Sequence, residues 1–401
     1  MTTQLLEPAN RTAPSPEATA QPPLTASGSY RAVLISDLSA FEALDGQWDD
    51  FLRETGTHNL CLTHAWLSEW LRHFPPEQLL VIIITDEAGR WVGVAPFMIR
   101  KSLTGLTHRL LRHVQFIGTH PTVYDWMKIV THPQASESAV LDTIAETLRQ
   151  THWDVLDLMF MPDPRPLELL GQKLKLGTPS QAIRETMSIP ALSLPATEEE
   201  FAKTRRKKTR LEVNRHCNRF ESEFGNPPQL EFQSGTDETN ASLARFFAGH
   251  IQYWAERGQK SDFRRFPNLY GFYKRMLAHA KEVHDPAEPK LLFSVLKIAD
   301  YQLSYHLGFW QGNCYLSHIT NFNQSFRSYS PGTIHMDKLV FETIRRRGVE
   351  FEMGRGDEPY KKMWAKDKKT LWSLRLFHNP ITKSLWQIDI LLKRLMRKPV
   401  E

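Results

Sequence analysis

Cysteine is nearly absent from this chain. Cys61, Cys217 and Cys314 stand singly, so no disulfide framework and no metal-ligand spacing is spelled out, and a reducing compartment is expected. No apolar run reaches the roughly 18 residues that a membrane helix needs. The N-terminus lacks the charged and apolar segments of a signal peptide, which makes the cytoplasm the expected location. A large excess of one charge is also missing, since 50 Lys and Arg face 45 Asp and Glu for a net +5. That excess is local, in Lys203–Arg219 and at the C-terminus, so composition implies no nucleic-acid protein. What remains is ordinary globular material: 401 residues, 41% hydrophobic and 24% charged, long enough for two domains.

Residues 1–29 are rich in Pro, Thr, Ala and Ser without an apolar period and read as a disordered tail. Order is expected from Tyr30–Ile35, a strand, followed by an aromatic helix at His64–Phe74 and a hairpin of Leu79–Thr85 and Trp91–Ile99. A helix at Glu137–Gln150 and a strand at Trp153–Phe160 complete the first half. The same order returns in helices Leu243–Gly258 and Phe266–Ala280, strands Leu291–Ile298, Gln302–Trp310 and Cys314–Thr320, then a helix and the strand Val349–Met353. The repeat is one of pattern, not identity. It predicts similar units at 30–192 and 241–380, a linker at 193–240 and a basic amphipathic helix at 381–401. In the linker, Thr197 caps a helix with Glu198, Glu199 and Glu200 in its first turn. Lys203–Arg219 continues it as a long, mostly exposed basic helix that ends at Gly225.

One stretch carries chemistry. In Arg327-Ser-Tyr-Ser-Pro-Gly-Thr333, small residues precede a helix whose buried stripe is Met336, Leu339, Val340 and Ile344. Arg345, Arg346 and Arg347 fill its last turn and Gly348 is its expected stop. Such a start presents free backbone N–H groups to an anion, typically a phosphate. The first half has Thr131-His-Pro-Gln-Ala-Ser-Glu137 in the matching place, with no glycine and an acid, so only the second half is equipped to hold a phosphate. The strand Val349–Met353 then delivers Asp357, Glu358, Tyr360 and Lys361 nearby. Gly354-Arg-Gly356 is no dinucleotide motif, because no third glycine or opening helix follows.

These residues are familiar as a set. His250…Trp254-Ala-Glu-Arg-Gly258, Tyr305-His306, Tyr329-Ser-Pro-Gly332 and Met353-Gly-Arg-Gly-Asp-Glu-Pro-Tyr-Lys-Lys362 resemble the CelD-like acyltransferases of the GNAT superfamily. That family is associated with cellulose and exopolysaccharide biosynthesis and is related to the Fem-type aminoacyl transferases. The resemblance implies an α/β chain of tandem GNAT-like (acyl-CoA N-acyltransferase) folds with mixed central sheets flanked by helices, the first unit degenerate. It implies transfer of an acyl group, acetyl by default, from acyl-CoA to an amine or hydroxyl, with no metal.

By the same resemblance, Arg327, Ser330, Gly332 and Thr333 would hold the donor, whose pantetheine arm would enter between the strands Cys314–Thr320 and Val349–Met353. His306 would be the general base or a substrate ligand, since a neutral nucleophile needs a base and histidine supplies one. Asp357, Glu358, Tyr360 and Lys361 would share proton transfer and charge pairing, and His250 and Tyr305 would face a small-molecule, glycan-linked or lipid-linked acceptor. The pyrophosphate loop departs from the usual GNAT pattern: Arg327 is followed by one glycine, Gly332, with Pro331 before it. An aminoacyl-tRNA donor bound by the basic helix is therefore the alternative, and a non-catalytic partner of a polysaccharide synthase a second. At the C-terminus, Ser384–Lys398 places Leu385, Ile388, Leu392 and Leu395 on one face with a late basic cluster. That helix suits an anionic inner-membrane surface, a synthase, or cover for the chain's own domain.

Overall fold

The computed structural model describes residues 29–101, 110–119, 126–176, 182–285, 288–356, 358 and 360–396. Residues 1–28 of the expected tail, Asp357 and residues 397–401 lie outside them. Strands form where β-branched runs are bounded by turn chemistry. Gln78–Thr85 (β2) and Trp91–Lys101 (β3) are buried on both faces and pair antiparallel. Their turn is shaped by Asp86, which accepts from the backbone N–H of Ala88 and Arg90 at 3.0 and 2.9 Å. The other first-half strands are β1 (Arg31–Ile35), β4 (Arg112–Phe116), β5 (Val130–Thr131), β6 (Val155–Met161) and β7 (Ile183–Ser193). The second half contributes β8 (Gln229–Gln233), β9 (Lys290–Ile298), β10 (Tyr301–Gln311), β11 (Cys314–Phe322), β12 (Glu350–Glu352) and β13 (Asp367–Phe377).

All thirteen join one mixed sheet, in the order β1-β2-β3-β4-β6-β13-β7-β12-β11-β10-β9-β8, with β5 beside β3. The order is a palindrome of the two halves with their last strands exchanged. β7 of the first half pairs with β12 of the second, at Glu352↔Ala191, and β13 of the second pairs with β6 of the first, at Leu374↔Leu158. β7 and β13 pair with each other in the middle. The exchange fuses what the sequence predicts as two sheets into one. Between them β7 and β13 cover β6 and β12, so neither is left as an open edge with a row of unpaired backbone groups.

The halves also share a core. On one face of the sheet, Trp66 of the helix His64–His73 packs edge-on against Phe272 and Phe309 of the second half, at centroid distances of 4.8 and 5.5 Å. On the other face, the helix Pro331–Arg345 buries Met336, Leu339, Val340 and Ile344 against Trp310, Tyr315 and Phe351, as its stripe predicts.

Three readings need correction. The basic helix is two helices, Glu198–Thr204 and Lys207–Phe224, broken where Arg205 becomes extended (ψ 136°) and pairs with the buried Asp337. It is not mostly exposed either: Thr209, Val213, His216 and Phe220, at helical spacing, are buried. Gly348 does not supply the left-handed residue that ends the Pro331 helix; Arg347 does, at φ 61°. Gly348 is needed for space instead, because a Cβ there would stand 2.5 Å from Thr343 Cγ2. The expected C-terminal helix runs Pro380–Met396 and docks through Trp386, which packs on Phe377 with the Arg375 guanidinium 4.3 Å from its ring centre. Ile381, Ile388 and Leu391 stay exposed. No helix among the described residues is long and apolar enough to cross a membrane.

Candidate active site

The site is built at the end of β11. Asn323 caps a 3-10 turn, Gln324–Tyr329, by accepting from Ser325 N–H at 3.1 Å. Ser330 then adopts the left-handed region (φ 50°, ψ 52°), which makes it the junction between that turn and the Pro331 helix. In this conformation its side chain makes no cap, and Pro331 has no N–H to give. A Cβ on Gly332 would meet nothing within 4 Å. The helix thus begins with an open, uncapped first turn, the geometry that suits an anion. Arg327 is exposed beside it, and Arg219 of the basic helix donates to the Ser328 carbonyl at 3.1 Å and lies 4.0 Å over the Tyr329 ring. The corresponding start in the first half is closed: Ser136 caps its own helix at Ala139 N–H, and Glu137, in the first turn, pairs with Arg165.

Next to this loop, β11 and β12 run parallel for only three pairs, Cys314↔Glu350 to Leu316↔Glu352. Then Met353 N–H turns to the Pro190 carbonyl on β7 at 2.8 Å, and Gly354 takes φ 66°. The β11–β12 ladder ends there, with Gly354 still close against β11. Glycine is required at 354, since a Cβ would come within 2.3 Å of the Ser317 carbonyl oxygen.

The residues singled out from sequence fall into separate groups. Arg327, Ser330, Gly332 and Thr333 share the loop and first turn, with Thr333 N–H bonded to the Ser330 carbonyl at 3.0 Å. Glu358, Tyr360 and Lys361 share the turn after β12. Lys361 is 3% exposed and donates to Glu358 at 2.9 Å, to the Gly354 carbonyl at 3.4 Å and to the Arg355 carbonyl. It clamps its own turn. Tyr360 stays a phenol, pushed up to about 12 by burial and then by Glu358.

His306 is 1% exposed under the Pro331 helix. Both ring nitrogens meet hydroxyls, Nε2 that of Ser317 at 2.8 Å and Nδ1 that of Tyr315 at 3.0 Å. Burial pushes its pKa down to about 3, so the ring is neutral. Tyr305 points to the opposite face and donates to Gln302 at 3.0 Å. His250 accepts at Nε2 from the Trp254 indole at 3.1 Å, because an indole N–H can only donate. Its Nδ1 therefore carries the proton and donates to Ser261 Oγ at 2.9 Å. Burial holds this ring neutral too, near 4.

Two features escape sequence reading. His318, on β11 beyond its last pair with β12, bonds Tyr273 at 2.8 Å and stacks on Phe309 at 4.7 Å. Glu350 and Glu352 lie on one face of β12 with Cys314, their ligating atoms within 4.8 Å of one another. Lys369 from β13 already bridges the two carboxylates, reaching Glu352 at 2.8 Å, and so supplies a cation to this cluster. Acidic residues alternating with Phe351 and Met353 inside a buried strand were the available signal.

Residues 207–362 match the acetyltransferase (GNAT) domain family. No curated protein matches the chain. Among solved structures the chain is similar to FemX, with a TM-score of 0.54 and 12% identity over 86% of this chain and 98% of that one. It is similar to L-PGS from Bacillus licheniformis, with a TM-score of 0.51 and 9% identity over 87% and 96%. A conserved protein of unknown function from Bacteroides thetaiotaomicron VPI-5482 gives 0.50 and 11% over 84% and 97%. At such identities the likeness is one of fold. The matched stretch runs from the basic helix to the turn after β12 and so takes in the Ser330–Thr333 helix start; this part of the chain is similar to the GNAT acetyltransferase domain.

Proposed function

We propose that the chain transfers an acyl group, acetyl in the first instance, from acyl-CoA directly to an amine or hydroxyl acceptor in a ternary complex. The observation that carries this is the uncapped helix start at Ser330–Thr333 beside the place where the β11–β12 ladder ends. The phosphates would bind at the first turn with Arg327, and the pantetheine arm would enter between β11 and β12 where their ladder ends. Holding donor and acceptor there would supply much of the rate. Tyr360, which keeps its proton, is the donor we assign to the departing thiolate, and Lys361 holds the turn that places it. Asp357 and Glu358 remain candidates for orienting the acceptor. His306, neutral and sealed, positions Ser317 at the end of the β11–β12 ladder, while His250 and Tyr305 support the acceptor side from within the core.

The setting we assign is CelD-like: polysaccharide or cell-envelope biosynthesis, with a small-molecule, glycan-linked or lipid-linked acceptor, in the cytoplasm or against the inner membrane. Ile381, Ile388 and Leu391, exposed beside Lys383, support contact with a membrane or a synthase. A second reading, an aminoacyl-tRNA donor, draws on the basic residues of Lys207–Phe224, whose Arg219 touches the same loop. Calorimetric titration with acetyl-CoA and longer acyl-CoAs, beside charged tRNA at two salt concentrations, separates them. Micromolar acyl-CoA binding supports the first. Binding of tRNA alone, falling steeply with salt, supports the second.

A further inference from the structure

The inference rests on the acyl-transfer reading and concerns how the donor is held. The basic helix Lys207–Phe224 joins the two ends of the candidate site. At its start, the Arg206 guanidinium donates to the Lys362 carbonyl and the Thr209 hydroxyl to the Met363 carbonyl at 3.3 Å, both in the short helix Lys361–Trp364 that follows Tyr360. Near its end, Arg219 donates to the Ser328 carbonyl, Glu223 accepts from the Tyr329 hydroxyl, and Phe220 packs on the Tyr329 ring at 4.7 Å. Thr209, His216 and Glu223 recur every seven residues, so they lie on nearly one line along the helix. The outer two touch the turn after Tyr360 and the loop before the Pro331 helix. His216 stands midway between them, about 10 Å along the axis from each.

His216 is 6% exposed, and its Nε2 has no hydrogen-bond partner among the described residues. A buried polar atom left bare is costly and calls for a partner. Burial, and after it the Arg215 guanidinium, hold the ring's pKa below its ordinary value, so the ring is neutral. A neutral imidazole offers one N–H and one bare nitrogen. The partner that suits Nε2 in either tautomer is therefore a group that both donates and accepts. A phosphate oxygen only accepts, whereas an amide does both. The stretch of acyl-CoA between its phosphates and its thioester is the pantetheine arm, which carries amide groups.

We propose that His216 hydrogen-bonds an amide of the donor's pantetheine arm through Nε2, which makes the basic helix the outer wall of the donor's channel. The donor is then a pantetheine thioester, since an aminoacyl-tRNA carries no such arm.

Calorimetry on the full chain compares acetyl-CoA with an adenosine bisphosphate, which has phosphates and no arm. His216→Leu is of similar size and removes an unpaired polar group, so it should melt no lower than wild type. It should bind acetyl-CoA about 5- to 150-fold more weakly and the bisphosphate as before. His216→Gln, whose amide both donates and accepts, should recover part of the loss. In the wild-type chain isotope-labelled at histidine nitrogen, the ring signal that His216→Gln lacks should shift on adding acetyl-CoA and stay in place on adding the bisphosphate. The proposal is overturned if His216→Leu binds acetyl-CoA like wild type, if it loses both ligands alike, or if the ring signal ignores acetyl-CoA. Should His216→Leu fail to fold, the ring signal still decides. A wild-type chain that binds no acyl-CoA fails earlier, at the donor, and takes this inference with it.

Discussion

Gly332→Asp puts a carboxylate where the donor's phosphates would sit, and the structure says it should do little else. Gly332 does not have a positive φ, and a Cβ there meets nothing within 4 Å, so the side chain fits without strain. An acid in the first turn of a helix is favoured by the macrodipole by about 0.3–1 kcal/mol. The variant should therefore melt at or slightly above the wild-type temperature. Two negative charges about 4 Å apart repel by about 1 kcal/mol in water and about 4 kcal/mol at the effective dielectric of a protein surface. At 1.4 kcal/mol per decade, acyl-CoA affinity should fall between about 5-fold and 10³-fold. Gly332→Ala tests the same space without the charge and should bind normally. The assay is isothermal calorimetry with acetyl-CoA, paired with thermal melts. Wild-type affinity in a folded Gly332→Asp, or equal damage from Ala and Asp, would refute the placement of the phosphates.

Three further outcomes follow from the fold. A chain ending at Ala365 lacks β13, the partner of both β6 and β7, and should show no cooperative urea transition by circular dichroism; a sharp transition would mean that the exchange is dispensable. His306→Ala strands the Ser317 and Tyr315 hydroxyls in the core and should cost about 2–4 kcal/mol in urea unfolding. His306 is held near pKa 3 and His250 near 4, below the ordinary 6.5, so the unfolded chain binds more protons in acid. Their contribution is complete above pH about 6.5 and lost as pH falls toward 4 and 3, by at most about 1.4 kcal/mol per pH unit each. Melting temperature against pH, compared with His250→Gln, should show the slope flatten in the variant.

Much of this was legible in residue patterns. The hairpins follow from β-branched runs around Asp86-Glu-Ala-Gly89 and Ala299-Asp300, and the Pro331 helix from its stripe and its small-residue start. The closed first-half helix was visible in Ser136-Glu137, where an acid stands in the first turn. Other features were not, because they depend on partners far away in sequence. Arg205 leaves helical geometry for Asp337, and the basic helix is half-buried because it lies on the Pro331 helix and the Tyr329 loop. His306 looks like any strand histidine until Tyr315 and Ser317 close on its two nitrogens.

The sequence by itself determined the local elements, their repetition in two halves and the small-residue helix start at Ser330–Thr333, because periodicity, caps and turn residues act over a few positions. Only the tertiary structure decided that the last strands cross over, that His306 is sealed, and that Glu352 stands buried beside Lys369. Strand exchange is settled by which strands meet across the seam between the halves. The protonation of a buried group is settled by the dielectric and hydrogen bonds that surround it. Both are properties of surfaces that meet only once the chain is folded.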